Sequence, residues 1–154
     1  MNKFVSAMGL LLLLASGVSA AQQPPAAQAA AQPAAGAIEP NAIRDAAQRV
    51  AMAMDAGQAA KLWDEASAIT KKSVTRDAFI AGISKSRQPL GKATGRNWVS
   101  VRRQAGDGQT LPAGLYASAE FLVEFADKRT MRELVSFRLD EDGTWRFSGY
   151  VVQP

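Results

Sequence analysis

The chain has 154 residues, with 18 basic and 14 acidic side chains and neither cysteine nor histidine. The lack of both residues excludes disulfides, thiol or imidazole catalysis and the ordinary zinc or copper ligand sets. The formal net charge of +4 is small and spread along the chain, which argues against nucleic acid as a partner.

Residues 1–20 have the pattern of a secretory signal peptide. Lys3 gives a basic start, an apolar stretch with the leucine run Leu10–Leu14 follows, and Val18-Ser19-Ala20 supplies small residues before a cleavage site. The apolar stretch is too short to remain in a bilayer as a spanning helix. We therefore expect an exported protein, periplasmic or secreted, cleaved after Ala20 or, alternatively, after Ala21.

Residues 21–37 consist almost wholly of alanine, glutamine and proline. The prolines interrupt any helix, and the segment has no large apolar side chain whose burial would offset the entropy of ordering it. It is predicted to be a disordered spacer. The folded domain is expected over residues 38–154, which is long enough for a single core.

Three helices are predicted at the start of this domain. The first begins near Pro40, ends at a left-handed cap on Gly57, and carries an apolar stripe at helical spacing. The second covers about residues 58–70. The third begins after the N-cap Thr75 and ends before Pro89. The stripe of the first helix consists of Ile43, Ala46, Ala47, Val50, Ala51 and Met54.

The apolar period then changes to two, which predicts four antiparallel strands, at about residues 97–104, 115–125, 131–139 and 145–152. A turn at residues 127–129 would pair Phe121 with Val135, Phe125 with Met131 and Glu124 with Arg132. A turn at residues 141–143, with Gly143 left-handed, would pair Phe137 with Phe147. The predicted fold is therefore α+β, with three N-terminal helices on one face of a curved four-stranded antiparallel sheet.

An ordered set of short motifs supports a resemblance to a known family. They include Asp55-Ala56-Gly57, Trp63-Asp64, the stretch from Arg87 to Gly91, and Gly143-Thr144-Trp145-Arg146. Over residues 43–152 the chain resembles the domain of unknown function 4019 family of small exported bacterial proteins. Helices followed by such a sheet also resemble the cone-shaped, cystatin-like fold of nuclear transport factor 2. The resemblance implies fold and export, and no activity.

Glu133 is the residue that breaks the apolar pattern. It lies on the apolar face of the third strand, opposite Val123 and Val151 in the predicted register. A carboxylate there can act as an acid or base with a raised pKa, or bind a cationic ligand. The alternatives are that it reaches the rim of the sheet or pairs with an arginine.

Arg87, Arg96 and Trp98 are the other candidate ligand-binding residues. The two arginines flank the Leu90-Gly91 turn, where they would hold an anionic ligand at a cone mouth, pair with a carboxylate, or cap helix carbonyls. Trp98, with Trp63 and Trp145, would form a pocket wall or pack in the core. Residues 140–142 lack the spacing of a calcium loop and are predicted to form a hairpin turn.

Three functional hypotheses follow. The first is a non-catalytic exported domain that binds a small ligand or an envelope protein, without cofactor or metal. The second is a cone-fold enzyme with Glu133 as its acid or base. The third is a structural protein that forms a homodimer through the outer sheet face, around Tyr116, Leu122, Leu134 and Tyr150.

Overall fold

The computed structural model describes residues 37–154, and the predicted signal peptide and nearly all of the predicted spacer lie outside these residues. The α+β class and the curved four-stranded antiparallel sheet are confirmed, and residues 37–154 contain four helices where the sequence predicts three. The helices are α1 (Pro40–Asp55), α2 (Ala59–Asp64), α3 (Ala68–Ser73) and α4 (Arg76–Arg87), followed by a 3-10 turn, Gln88–Leu90. The strands are β1 (Ala93–Gly106), β2 (Gly114–Phe125), β3 (Thr130–Leu139) and β4 (Trp145–Gln153).

The predicted stripe on α1 is the face that the helix buries against the sheet. Its buried residues are Ile43, Ala47, Val50, Ala51 and Met54. The chain leaves the helix through Gly57, whose φ of 71° is the left-handed conformation that glycine adopts without steric cost.

The prediction of one helix over residues 58–70 is wrong, because the segment forms two short helices. The break lies at Ser67, which is fully buried and is the N-cap of α3. Its hydroxyl accepts a hydrogen bond from the Thr70 N–H at 3.3 Å, and its own N–H donates to the Phe147 carbonyl at 2.8 Å. Since this N–H is bonded to the sheet, it cannot continue the helix from α2.

Helix α4 matches its prediction. Thr75 is the N-cap, and its hydroxyl accepts from the Ala78 N–H. Asp77 lies in the first turn, where the helix dipole favours a carboxylate. The helix ends in the 3-10 turn that contains Pro89, and Gly91 then adopts a φ of 71° to redirect the chain into β1.

The strands lie in the order β1-β2-β3-β4, and every neighbouring pair is antiparallel. The predicted β3–β4 turn is confirmed, with Phe137 opposite Phe147 and Gly143 at a φ of 77°. Strand β1 is longer than the predicted 97–104 and contains two register shifts.

The predicted register between β2 and β3 is wrong by two residues along β3. Phe121 lies opposite Glu133 rather than Val135, and Arg132 bonds to Glu120 rather than Glu124. The loop begins one residue earlier than predicted and places Lys128 in the left-handed conformation, with a φ of 70°. A shift of two residues keeps the same side chains inside, so the apolar face survives the error.

A bulge in β4 reverses the faces predicted for the end of the chain. Phe147 pairs with Phe137, but Gly149 pairs with Ser136, so Ser148 is an extra residue in the ladder. Tyr150 and Val152 consequently pack against the core, and Val151 is 48% exposed. The prediction that Tyr150 faces outward is therefore wrong. Glu133 lies opposite Phe121 and Val152, not Val123 and Val151.

The core lies between α1 and the inner face of the sheet, which large side chains of β2, β3 and β4 fill. They include Phe121, Val123, Phe125, Val135, Phe137 and Phe147. The outer-face patch proposed for dimerisation is smaller than predicted. Tyr150 points inward, and Tyr116 is only 7% exposed and donates its hydroxyl to the Pro112 carbonyl. No helix within residues 37–154 has both the length and the apolar character needed to cross a membrane.

Candidate functional site: an ion network beside an apolar cleft

Five side chains from five separate elements form one hydrogen-bonded ion network. Two guanidinium groups and two carboxylates balance its charge, and one phenol completes it. The network joins the C-terminal ends of α1 and α4 to three strands of the sheet. Its members are Asp55 of α1, Arg87 of α4, Arg96 of β1, Glu133 of β3 and Tyr150 of β4.

Glu133 is completely buried, and each of its carboxylate oxygens has a partner. Oε2 accepts from Arg96 Nε at 2.5 Å, and Oε1 accepts from the Tyr150 hydroxyl at 2.6 Å. A buried carboxylate is tolerated when it is paired and hydrogen-bonded in this way. Of the alternatives left open by the sequence, the structure shows the pairing with an arginine.

Asp55 connects the two arginines. It accepts hydrogen bonds from Arg87 and from Arg96, the latter at 3.1 Å. Arg87 is only 6% exposed, donates to the Gly91 carbonyl at 3.2 Å, and has its guanidinium carbon 4.7 Å from the centroid of the Phe125 ring. The Arg87 Nε–H is buried and has no hydrogen-bond partner within residues 37–154. It is the buried donor of the network that has no acceptor within these residues.

The network keeps its protons in one arrangement. Burial, followed by the negative charge of Glu133, raises the pKa of Tyr150 well above its usual value, so the phenol stays neutral and donates. Burial alone would lower the pKa of Arg96, but the hydrogen bond and charge of Glu133, with Asp55, raise it further than burial lowers it. Arg96 therefore stays charged.

An open cleft of about 580 Å³ adjoins the network, between the C-terminal ends of α1 and α4 and the start of β1. We call it the α4 cleft. It meets the network at Asp55 and Arg87. The apolar side chains that line it are those of Met54, Ala59, Ile80, Ile83 and Ala93, and the polar ones are those of Asp55, Ser84, Arg87, Gln88 and Lys92.

The structure brings three of the four predicted site residues together and separates the fourth. Glu133, Arg87 and Arg96 belong to the ion network, and of these Arg87 alone lines the α4 cleft. Trp98 is 49% exposed and lies beside Arg44, whose guanidinium is 5.9 Å from the centroid of its ring. It does not line the α4 cleft.

Sequence reasoning missed Asp55 and Tyr150 as members of the network. Asp55 ends a helix as an ordinary polar residue, and nothing local marks it as a partner for two arginines. Strict alternation assigns Tyr150 to the outer face. The sequence signal for its actual position is Gly149, since a glycine inside a strand often marks a bulge.

A second charged cluster holds the β3–β4 hairpin against α3. Buried Asp140 accepts from Arg138 at 3.0 Å, from Arg146 at 3.2 Å and from the Ala68 N–H at 3.3 Å. Arg146 also bonds to Asp142 and holds the pKa of that carboxyl well below its usual range. Residues 140–142 thus form the predicted hairpin turn, and no group of acidic side chains within residues 37–154 is arranged to hold a metal ion.

Comparison with protein families finds a match. The model of a family described as "Protein of unknown function (DUF4019)" matches residues 46–150, which is more than half of the chain. This range includes every member of the ion network and all of the residues that line the α4 cleft. Comparison with curated proteins and with solved structures finds no match.

Proposed function

The chain belongs to the DUF4019 family of proteins of unknown function, and we propose that it is an exported, non-catalytic domain that binds a small, largely apolar ligand in the α4 cleft. One observation carries the proposal: an apolar cleft of about 580 Å³ beside fixed, buried charges. Ligand sites are typically concave and mostly apolar, with a few polar groups and volumes of about 300–1,000 Å³. The cone-shaped fold of the nuclear transport factor 2 relatives is part of the same proposal.

The ion network supports binding more than catalysis. A general base must reach the proton that it removes. Glu133 is completely buried, both of its oxygens already accept hydrogen bonds, and it does not line the α4 cleft. We assign the network a positioning role instead, because it ties together the ends of α1 and α4 and the start of β1, all of which border the cleft.

The proposal of export rests on the first 20 residues, with their basic start, leucine run and small residues before Ala21. Outside the cytoplasm the ligand would be a small molecule of the cell envelope or the medium.

Native mass spectrometry of the protein purified from its own cell envelope tests both parts of the proposal. We expect a mature chain that begins at Ala21 or Gln22 and carries a small molecule at fixed stoichiometry. Ile83→Trp, which places a bulky indole ring in the cleft, should abolish that adduct. Ala81→Trp is the matched control, because Ala81 is exposed on the same helix and does not line the cleft.

Three results would contradict the proposal. Full-length protein in the cytoplasm would reject export. An adduct retained by Ile83→Trp would place the ligand outside the α4 cleft, and a bare protein with no affinity for apolar probes would reject the binding role.

A further inference from the structure

We propose that the ligand of the α4 cleft is an anion, a carboxylic acid whose charged head lies at Arg87 and Lys92 and whose apolar tail lies along α4. The inference rests on the proposed function and adds the chemical class of the ligand. It follows from the charges, the unpaired donors and the walls of the cleft.

The charged groups that line the cleft favour a negative ligand. They are one carboxylate, Asp55, and two cations, Arg87 and Lys92. Asp55 is already bonded to both Arg87 and Arg96, so little of its charge remains for a ligand cation. The ion network behind the cleft is neutral as a whole, and Lys92 therefore leaves this end of the cleft with an excess of positive charge.

The unpaired polar groups at the cleft are mainly donors. Arg87 lines the cleft, and its buried Nε–H has no acceptor within residues 37–154, which costs about 1–3 kcal/mol. Within residues 37–154, no carboxylate pairs with the Lys92 ammonium, and no side chain bonds to the Ser84 hydroxyl. A carboxylate is an acceptor-only group with two oxygens, which matches these donors.

The remaining walls suit an apolar tail. Ile80 and Ile83 are half-buried on one face of α4, and Met54 lines the cleft from α1. A fully polar anion would leave these apolar side chains exposed to water. A neutral alcohol would not pair with the positive charge of Lys92. An acid with a hydrocarbon tail satisfies both parts of the site.

The test compares two probes that differ only in the head group, decanoate and decan-1-ol. Calorimetric titration of the mature protein at neutral pH and low salt should show decanoate binding about tenfold more tightly or better, as expected for one charge-assisted contact. Lys92→Glu should lower the decanoate affinity by about tenfold or more and leave decan-1-ol unchanged. Lys85→Glu is the control, because Lys85 is exposed on α4 and does not line the cleft.

The outcomes separate the two proposals. Equal affinities for decanoate and decan-1-ol, both abolished by Ile83→Trp, would overturn the anionic class and leave the apolar site in place. No binding of either probe would overturn the proposed function as well. If Lys92→Glu and Lys85→Glu lose equal decanoate affinity, the preference for decanoate arises from long-range charge alone. That result would overturn the assigned head-group position.

Discussion

At the scale of single residues, the central feature is Glu133, a glutamate at an apolar position of the sheet. The pattern of β3 singles out Glu133, and its isolation in that pattern indicates a paired or functional carboxylate. The structure supplies the pairing through Arg96 and Tyr150. A buried charge held by two donors defines the position of both, so the glutamate fixes β1 and β4 relative to β3.

Tyr150→Phe tests this arrangement through its pH dependence. At neutral pH the variant should lose about 1–2 kcal/mol of unfolding free energy, because a Glu133 oxygen loses a donor. The pKa of Tyr150 is raised in the folded state, so above about pH 10 the unfolded chain releases a phenol proton that the folded chain retains. The stability of the wild type should therefore fall as pH rises through this range, by up to about 1.4 kcal/mol per pH unit from this group.

Urea unfolding at about pH 9 and about pH 11 measures the difference. The variant should lose less stability between the two values than the wild type, since the other titrating groups are common to both. Tyr116→Phe is the matched control, because its buried hydroxyl bonds to a backbone carbonyl and not to a carboxylate. Parallel losses in wild type and Tyr150→Phe would contradict the coupling of Tyr150 to Glu133.

The candidate site could be predicted only in part from the sequence. Glu133, Arg87 and Arg96 are charged residues beside apolar runs or turns, and that local contrast identifies them. Asp55 and Tyr150 have no such contrast, because their roles depend on where α1 ends against β1 and on a single extra residue in β4. The cleft itself arises from the spacing of α1, α2, α4 and β1, which no local pattern encodes.

At the scale of elements, periodicity predicts well which face of a helix or strand is buried. It predicts poorly the helix breaks and β-bulges that depend on a single residue. The stripe of α1, the cap of α4 and the β3–β4 turn are read correctly, because each depends on residues close together in sequence. The break at Ser67 depends on a hydrogen bond to Phe147, which is distant in the chain. The bulge at Ser148 exchanges the inward and outward positions of the rest of β4, and the composition of the strand gives no sign of it. Alternation alone therefore assigns the residues after Ser148 to the wrong face.

The contact between the hairpin and α3 gives a prediction at this scale. Asp140→Asn should destabilise the domain by about 2–3 kcal/mol, because it removes the charge that two arginines share in a buried position. Asp142→Asn, in the same hairpin, removes an exposed partner of Arg146 and should have a clearly smaller effect. Thermal and urea unfolding of the two variants give the comparison, and equal losses would show that Asp140 does not anchor the hairpin.

At the scale of the whole domain, the core and the proposed binding cleft are separated in space. The inner face of the sheet is filled by large side chains, so its interior serves as core. The α4 cleft lies at one end, where α1, α4 and β1 meet and where the ion network holds them. A ligand there would contact rigid elements, and its binding should raise the stability of the folded state by mass action.

The most direct test of the central claim is a methyl NMR titration of the protein with decanoate. The chain has isoleucines at positions 38, 43, 69, 80 and 83, and of these only Ile80 and Ile83 line the α4 cleft. We predict saturable shifts of the Ile80 and Ile83 methyl signals, with the Ile38 and Ile69 signals unchanged. Saturable shifts centred on Ile38 or Ile69, or no shifts at millimolar decanoate, would contradict a ligand site in the α4 cleft.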